Sequence, residues 1–340
     1  MYRHGIPGRI APFFVHCLNG CASFWLVVLV AACVPLSDPD ADLAGGGPYA
    51  SWMASIDDAV LLTDVSIPGA HDAASSTIRT FSQWTRTQEL NVAQLWNAGV
   101  RAFDLRPAYV NGVMGVYHDK YTAGIAFADV CSTLLKALEL HPTEFAILLI
   151  RHEVEADGGS PEWGNAMRDI LSAYNDRLSG YHDGITVGEL RGRLLILSRD
   201  RYGDSPFGGF ISGWYSGTDL SRQKSASIEN DAGKSMPLWV QDYYDPESPE
   251  DKWAEVKDLL EATAQADRHP LVINHVSGYV GKLPNYRKNA CFVNAEAVSY
   301  IKHSHTPAGI VMMDFAGTNN SRGTKVQGED LVRALIENNN

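Results

Sequence analysis

Two histidines and one arginine carry the chemistry that the sequence first suggests. His71, Arg106 and His118 each stand at or just after the end of a short apolar run. Imidazole serves as base or acid near neutral pH, and a planar guanidinium can grip two phosphate oxygens. One histidine could therefore take a proton from a nucleophile while the other protonates a leaving oxygen, with Arg106 neutralising charge on a phosphoryl group. The three residues predict in-line displacement at phosphorus.

Three carboxylates accompany this set and could hold the imidazoles in the required tautomer. Asp72 follows His71 directly, Asp104 lies two positions before Arg106, and Asp314 lies near the C-terminus. Asp104 and Arg106 point the same way if they share a strand, because side chains alternate along it. These carboxylates are candidate members of the same catalytic site.

The segments that must position these side chains alternate between short apolar runs and stretches of helical period, as in βαβ units. We predict eight strands, at 65–68, 100–106, 113–118, 145–153, 194–199, 238–242, 271–275 and 309–315. The predicted helices lie at 87–98, 127–140, 161–178, 249–267, 294–303 and 327–337. Nearly continuous apolar strands are typical of a parallel sheet buried on both faces. The predicted fold class is α/β, a single distorted TIM-type α/β barrel over residues 48–340.

Polar residues gather at the C-terminal end of nearly every predicted strand. They are His71-Asp72, Asp104 with Arg106, His118, Arg151 with Glu153, Arg199, Asp242 with Tyr244, Asn274-His275, and Asp314. In an α/β barrel these ends meet at one rim, where active sites are built. Any one of these residues alone is better explained as a solvated strand end or a structural ion pair. Their recurrence on eight strands favours a common site.

The charge of the chain bears on its partners. Of its 340 residues 45% are apolar and 20% charged, and the formal net charge is −12. Nucleic acid is disfavoured as a partner, because phosphate backbones are bound through a surplus of Lys and Arg. Electrostatic adsorption to anionic membranes is disfavoured for the same reason. We expect a monomer.

Residues 1–33 are predicted to be a signal peptide of a secreted protein. Arg3 and Arg9 supply positive charge, and an apolar stretch at 24–30 precedes small residues suited to cleavage. An uncleaved anchor is disfavoured because the apolar run is shorter than the roughly 20 residues of a spanning helix. Cys33 also resembles a bacterial lipoprotein acylation site, which would leave the protein lipid-anchored.

Two further predictions concern the segment after the signal and the remaining cysteines. Residues 34–47, rich in Asp, Pro and Gly, are predicted to be a flexible linker. Cys131 and Cys291 lie in the body of the chain. Export would permit a disulfide between them, but the sequence does not establish their proximity.

The motifs around the candidate residues resemble the X-domain signature of bacterial phosphatidylinositol-specific phospholipases C. The segments are Ser-Ile-Pro-Gly-Ala-His-Asp (66–72), Val-Arg-Ala-Phe-Asp-Leu-Arg (100–106) and Val-Tyr-His (116–118), in the same order and at similar spacing. Segments at 141–153, 192–199, 239–244 and 310–314 continue the resemblance, which covers the chain from about Trp52 to its end. The ordered set is much more specific than any one piece.

This resemblance implies a role for each matching residue. His71 would be the general base toward the inositol 2-hydroxyl, oriented by Asp314, and His118 the general acid toward diacylglycerol, supported by Asp72. Arg106 would hold the phosphoryl oxygens, and the first products would be diacylglycerol and inositol 1,2-cyclic phosphate. The implied headgroup-binding residues are Arg151, Glu153, Arg199, Asp242 and Tyr244. The chain departs from the family at Arg151, where the bacterial enzymes carry Lys.

The resemblance also implies that the protein needs no cofactor and no metal. Calcium-dependent relatives place an acid at the position of Arg106 and an Asn at that of Asp72. A guanidinium in the place of the cation makes calcium binding disfavoured. The several carboxylates near the rim keep an unrecognised metal site open as an alternative.

Aromatic residues predict contact with a membrane. Trp84 lies in a segment that resembles the short helix which the bacterial enzymes press into membranes, and Trp214 lies in a Gly-rich loop predicted after the fifth strand. That loop also holds Phe207, Phe210 and Tyr215. Aromatics above a barrel rim suit insertion at an interface, although each could equally pack against the barrel. The expected partner is phosphatidylinositol or its glycosylated form at a membrane surface.

Two other functions remain open at this point. A metal-dependent glycerophosphodiester phosphodiesterase or sphingomyelinase D would share the fold, but the signature carboxylates of those enzymes near the first histidine are not evident. A catalytically silent inositide-binding module would not need an acid and base pair, whereas His71 and His118 are both present.

Overall fold

The β-strands build a barrel, described here from a computed structural model over residues 38–202 and 208–340. In chain order the strands are β1 (Ile67–Ala70), β2 (Ala102–Leu105), β3 (Pro107–Val110), β4 (Val113–His118), β5 (Tyr121–Ala126), β6 (Ala146–Ile150), β7 (Leu178–Ser179), β8 (Leu194–Ser198), β9 (Gly209–Ser212), β10 (Ala226–Asn230), β11 (Ser235–Gln241), β12 (Leu271–His275), β13 (Ile310–Met313), β14 (Asn320–Ser321) and β15 (Thr324–Lys325). The barrel follows the order β6-β2-β1-β13-β12-β11-β10-β9-β8 and closes where β8 pairs with β6. Among the described strands of this barrel, β10 alone runs antiparallel to both of its neighbours. The predicted α/β barrel is confirmed.

One predicted barrel strand lies elsewhere. The prediction for 113–118 is wrong in this respect, because β4 is the middle strand of a separate antiparallel sheet, β3-β4-β5. Asn111 and Gly112 have φ of 52° and 82° and connect β3 to β4. Positive φ at both positions is the signature of a tight hairpin turn. Val113 is 56% exposed, which does not fit a strand buried on both faces.

The barrel is completed by two strands that the sequence did not predict, β9 and β10. Glycine in β9 and polar residues in β10 hide the apolar pattern of a buried strand. Phe210 therefore belongs to β9 rather than to an aromatic loop. The first strand also lies later than predicted, at Ile67–Ala70.

Helices cover the outside of the barrel. They are α1 (Pro39–Ala44), α2 (Ser82–Thr85), α3 (Val92–Asn97), α4 (Phe127–Leu140), α5 (Val154–Asp157), α6 (Trp163–Ser172), α7 (Val187–Leu190), α8 (Leu220–Gln223), α9 (Pro249–Ala264), α10 (Tyr286–Ser304) and α11 (Gly328–Glu337). Short 3-10 helices lie at Trp52–Ser55, Leu62–Asp64, Ser75–Thr77 and Asn175–Arg177. The predicted range of α4 is confirmed, whereas α10 begins at Tyr286 rather than at Asn294. Within the described ranges, no helix has the length and apolar character needed to cross a membrane.

The segment before the barrel is partly helical. The prediction of a flexible linker is wrong for α1, because this helix is packed against the rest of the protein. Leu43 is buried. The Asp42 carboxylate accepts a hydrogen bond from Asn91 Nδ2 at 2.6 Å, and the Asp42 carbonyl accepts one from Asn97 Nδ2 at 2.7 Å. The predicted signal peptide and Cys33 lie outside the described residues. Cys131 is buried and Cys291 exposed, and the two are not bonded to each other.

The N-terminal end of the barrel is closed by a buried ion pair. Arg101, just before β2, contacts Glu144 at 2.8 Å, and both side chains are fully buried. Arg101 also donates to the carbonyls of Tyr49 and Ala50, and its guanidinium lies 3.8 Å from the ring centre of Trp96. This end of the barrel therefore serves structure, while the opposite end is open.

Candidate active site

A polar cavity of about 560 Å³ opens at the C-terminal ends of the barrel strands. Most of the predicted site residues line it. These are His71, Arg106, His118, Arg151, Glu153, Arg199, Asp242 and Tyr244. Strands β1, β2, β6, β8 and β11 each end directly before one of them, so the barrel itself converges these side chains.

His71 is held by a carboxylate from the neighbouring strand. Its Nδ1 lies 2.8 Å from Asp314 Oδ1, and the other oxygen of Asp314 accepts a hydrogen bond from the Gly278 amide at 3.1 Å. An ionised carboxylate only accepts, so Nδ1 donates and Nε2 is the atom that faces the cavity. Burial lowers the pKa of His71, but the charges of Asp72 and Asp314 outweigh burial and raise that pKa to about 9.

Arg106 connects the histidine to the other carboxylates. Its Nη2 donates to His71 Nε2 at 2.8 Å and lies 3.4 Å from Asp104 Oδ2, while Nε lies 2.9 Å from Asp72. Burial lowers the pKa of Arg106, but Asp72 and Asp104 outweigh it and raise the pKa well above the ordinary range. Because a guanidinium has no lone pair to offer, its contact with Nε2 selects the neutral imidazole. In this tautomer the lone pair of His71 is on Nε2, which faces the cavity and accepts from Arg106.

His118 reaches the same place from outside the barrel, at the end of β4. Its Nδ1 donates to the Thr85 carbonyl at 2.8 Å, and its Nε2 lies 3.5 Å from Asp72 Oδ2. The same oxygen lies 3.3 Å from His71 Nε2. Burial raises the pKa of Asp72, but Arg106, His118 and His71 outweigh it and hold the pKa far below the usual range. Asp72 is thus a carboxylate shared by both imidazoles.

Asp104 does not take the role expected for it. Its Oδ2 accepts from the Asp72 amide at 3.2 Å and from Arg106, but lies 3.9 Å from His71 Nε2. It supports the guanidinium and the Asp72 backbone rather than an imidazole.

The backbone is strained beside each of these groups. Asp72 itself has a φ of 44°. Asp119, directly after His118, has a φ of 55°, and Phe315, directly after Asp314, has a φ of 57°. L-residues rarely adopt this left-handed conformation, and such strain clusters at functional sites. Tight turns at these positions aim the three side chains into one mouth.

The predicted headgroup residues form a further wall of the same cavity. Burial raises the pKa of Glu153 to about 8, and burial lowers that of Arg199 to about 10. Burial also raises the pKa of Asp242, but nearby His275, Lys252 and Arg199 outweigh it and leave that pKa lowered. Tyr244 is 46% exposed, so its ring stands at the open side. The wall offers cations, carboxylates and a ring to a small polyhydroxylated ligand.

Trp214 contacts two of these cavity-lining residues. Its Nε1 donates to Asp242 Oδ2 at 2.8 Å, and the Arg199 guanidinium lies 4.2 Å from its ring centre. Its ring also packs edge-on against His275, with centroids 5.7 Å apart. The indole is therefore engaged with residues of the site, and the membrane contact expected for Trp214 stays a prediction.

Trp84 lies at a second, more apolar cavity of about 370 Å³. It belongs to α2, and the neighbouring Phe81 is 57% exposed. His118 and Tyr286 line both cavities, so the apolar one adjoins the catalytic one. The membrane contact expected for Trp84 stays a prediction.

A cation site is conceivable among the same residues. His71, Asp72 and Asp104 each offer a ligand atom within 4.8 Å of the others. Arg106, however, contacts all three of them. A fixed positive charge thus occupies the position where these ligands would converge.

Several residues of the site escaped the sequence analysis. Tyr286 lines the cavity, and burial raises its pKa well above the usual range. Gly278 has a φ of 154°, and a side chain there would meet the Tyr244 carbonyl at 2.9 Å. Gly278 lies in the irregular stretch after β12, and Tyr286 is the first residue of α10, which was predicted to begin only at Asn294. The Thr85 carbonyl is a backbone group, which a residue-type pattern does not reveal.

Comparison with known sequences identifies relatives. No protein-family profile matches the chain. It is 25% identical over 311 residues to the 1-phosphatidylinositol phosphodiesterase of Staphylococcus aureus strain Newman, covering 85% of this chain and 94% of that protein. It is 22% identical over 280 residues to the protein of that name from Listeria monocytogenes, covering 78% and 80% respectively.

Comparison with solved structures gives the same result for the fold. The phosphatidylinositol-specific phospholipase C from Listeria monocytogenes matches with a TM-score of 0.67 at 20% identity, covering 86% of this chain and 99% of that one. A Staphylococcus aureus structure of the same kind matches with a TM-score of 0.69, also at 20% identity, covering 86% and 98%. These matches show that the chain shares the barrel fold of those phospholipases C. The resemblance to the bacterial phosphatidylinositol-specific proteins is confirmed.

Proposed function

We propose that the protein is a phosphatidylinositol-specific phospholipase C, a phosphorus-oxygen lyase that forms diacylglycerol and inositol 1,2-cyclic phosphate. The observation that carries this proposal is the pair of imidazoles at one carboxylate, with Arg106 in contact with His71. An acid, a base and a charge-neutralising group within one cavity suit a phosphodiester.

The reaction follows from the tautomers. Asp314 occupies Nδ1 of His71, so Nε2 accepts the proton of the inositol 2-hydroxyl as that oxygen attacks phosphorus. The bond between phosphorus and the glycerol oxygen breaks, and His118 Nε2 gives that oxygen its proton. The Thr85 carbonyl holds the Nδ1 hydrogen of His118. Arg106 stabilises the added charge on the phosphoryl oxygens.

The charged wall of the cavity serves headgroup recognition. Arg151, Glu153, Arg199 and Asp242 offer donors and acceptors for the inositol hydroxyls, and Tyr244 offers an aromatic face. Trp214 joins them as a support, because it holds Asp242 and stacks on Arg199. Phosphatidylinositol and its glycosylated form both present this headgroup at a membrane surface.

We propose a reaction that needs no metal, because Arg106 contacts each of the candidate ligands His71, Asp72 and Asp104. A metal-dependent phosphodiesterase on this barrel would require those oxygens and that nitrogen to be free for a cation. A silent binding module would not require a paired acid and base.

Phosphorus NMR of phosphatidylinositol vesicles incubated with the purified protein in excess chelator tests the proposal. A cyclic phosphate resonance should appear first, and both His71→Ala and His118→Ala should abolish it. Acyclic inositol phosphate from the outset, or loss of turnover in chelator, would contradict it.

Export belongs to the same proposal. The predicted signal precedes a catalytic unit whose substrate lies on a membrane, and a monomer in transient contact with that surface is sufficient for the chemistry. Lipid anchoring through Cys33 is the alternative.

A further inference from the structure

Four arginines gather beside the aromatic helix α2. This arginine cluster consists of Arg79, Arg86, Arg287 and Arg322. Arg322 donates to Ser82 Oγ at 2.8 Å, and Arg287 donates to the Gln83 carbonyl at 3.4 Å, so two guanidinium groups touch α2 itself. Arg79 and Arg322 are exposed. The cluster is local positive charge on a chain whose net charge is −12.

The fold builds this cluster rather than leaving it to flexible side chains. Arg322 sits in the turn between β14 and β15 with a φ of 46°, followed by Gly323 at 83°. Arg287 donates through Nε to Ser321 Oγ at 2.7 Å and lies 3.4 Å from Glu89, which offsets part of the charge. Arg86 donates through Nε to the Ile78 carbonyl at 2.6 Å. Arg86, Arg287 and Arg322 are therefore held by hydrogen bonds, each from a different segment of the chain.

The arginines are also close enough to repel one another. Burial lowers the pKa of Arg86, and the charges of Arg322 and Arg79 lower it further, against the opposing effect of Glu89. Burial likewise lowers the pKa of Arg287, and Arg322 adds to that effect. Like charges held together at a cost to the fold suit a polyanionic partner.

The arginine cluster adjoins both the catalytic cavity and the exposed apolar residues around α2, which we call the apolar rim. Phe81 directly precedes α2 and is 57% exposed, and Leu283, before α10, is 65% exposed. Arg86 follows Thr85, whose carbonyl holds His118, and Arg287 follows Tyr286, which lines the cavity. Aromatic residues that enter a lipid interface, flanked by cations that meet phosphate groups, are the combination that anionic membranes bind.

We propose that the arginine cluster is a binding surface for anionic phospholipid headgroups, which docks the rim onto acidic membranes with Phe81 and Trp84 inserted. The proposal rests on the proposed function only in that the substrate lies in a membrane. It replaces the expectation that net charge forbids such adsorption, because a bilayer meets one face of the protein and not its average charge. Only charges within about one Debye length of the membrane, about 8 Å at physiological salt, contribute strongly to the electrostatic binding energy.

Sedimentation with vesicles that contain no inositol lipid tests this surface. Vesicles of phosphatidylcholine alone are compared with vesicles containing one-fifth phosphatidylglycerol, at low and at high salt. The full chain should prefer the acidic vesicles, and high salt should remove the preference. In the double variant Arg79→Glu/Arg322→Glu, partitioning onto acidic vesicles should fall about 30-fold or more, since each basic residue near the surface contributes about fivefold.

A second double variant, Lys257→Glu/Arg268→Glu, makes the same change in net charge away from α2 and should bind as the unmodified protein does. Thermal melting and turnover of a water-soluble inositol aryl phosphodiester should be unchanged in both variants. Equal loss in the two doubles, or no preference for acidic vesicles, would overturn the proposal. Because binding is measured without substrate, an inactive chain that still binds would count against the proposed function alone.

Discussion

His71 and His118 approach the same oxygen of Asp72, with their Nε2 atoms at 3.3 and 3.5 Å from it. The two nitrogens therefore cannot be further apart than those distances together, which a single phosphodiester can span. They come from different sheets, so the pairing is a product of the tertiary fold.

The proposed roles of the two histidines predict that the loss of kcat depends on the leaving group for one variant and not for the other. His71→Ala should lower kcat about 10²- to 10⁴-fold with any substrate, because no base remains for the nucleophile. His118→Ala should lose a similar factor with phosphatidylinositol but much less with an inositol aryl phosphodiester, whose leaving oxygen needs no proton. Steady-state rates on both substrates check this. Equal losses for both variants on the aryl substrate would remove the acid role from His118.

Asp314→Asn should shift the pH dependence. The base must be neutral to react, so kcat/KM for a soluble substrate rises as pH passes the pKa of His71, which burial lowers but Asp72 and Asp314 raise to about 9. Removing one adjacent charge should lower that pKa by about one unit or more. The acidic limb of the profile then moves to lower pH, while the plateau falls because the base is weaker. An acidic limb at unchanged pH would show that Asp314 does not raise the pKa of His71.

Arg106→Lys should be far from neutral. Lysine keeps the charge but cannot contact His71, Asp72 and Asp104 at once or grip two phosphate oxygens. We expect kcat to fall by about 10²- to 10³-fold. Added calcium or chelator should leave the unmodified protein unaffected, and calorimetry with calcium should show no binding. A rate within threefold of the unmodified protein would argue against phosphoryl contact.

Arg101→Met tests the closed end of the barrel. Breaking its buried pair with Glu144 should lower the free energy of unfolding by about 3–5 kcal/mol, because a buried carboxylate is left unpaired. The double variant Arg101→Met/Glu144→Leu should recover much of that loss. Urea denaturation measures both, and kcat of the folded fraction should not change. A single variant within about 1 kcal/mol of the unmodified protein would contradict this assignment.

The predicted signal can be tested by intact mass of the protein exported from a bacterial host. Cleavage near residue 33 predicts a mature chain without the first apolar stretch. A mass increased by acyl chains on Cys33 would instead support the lipid-anchored alternative.

Much of the barrel was readable because its strands are buried on both faces and end in polar residues. The exceptions have physical reasons. β9 and β10 carry too many glycine and polar residues for a buried-strand pattern, and β4 was misplaced although Asn111-Gly112 marks a hairpin turn.

The residues of the candidate active site were predictable by type, but their hydrogen-bond partners were less so. Asp314 was paired with His71 through the family resemblance, whereas the Thr85 carbonyl and the Gly278 amide act through backbone groups. Trp214 is a residue type that the sequence alone assigns to membrane contact. Its contacts with Asp242 and Arg199, which give it a supporting position in the site, are visible only in the structure.

The small sheet β3-β4-β5 has a consequence for how such a protein can change. It carries His118, the proposed proton donor, outside the barrel, while the proposed base His71 and the proposed headgroup residues follow strands of the barrel. Alterations in that appendage can therefore retune which alcohol departs without disturbing which sugar ring is recognised. Leaving-group preference and headgroup preference are separable traits in this architecture.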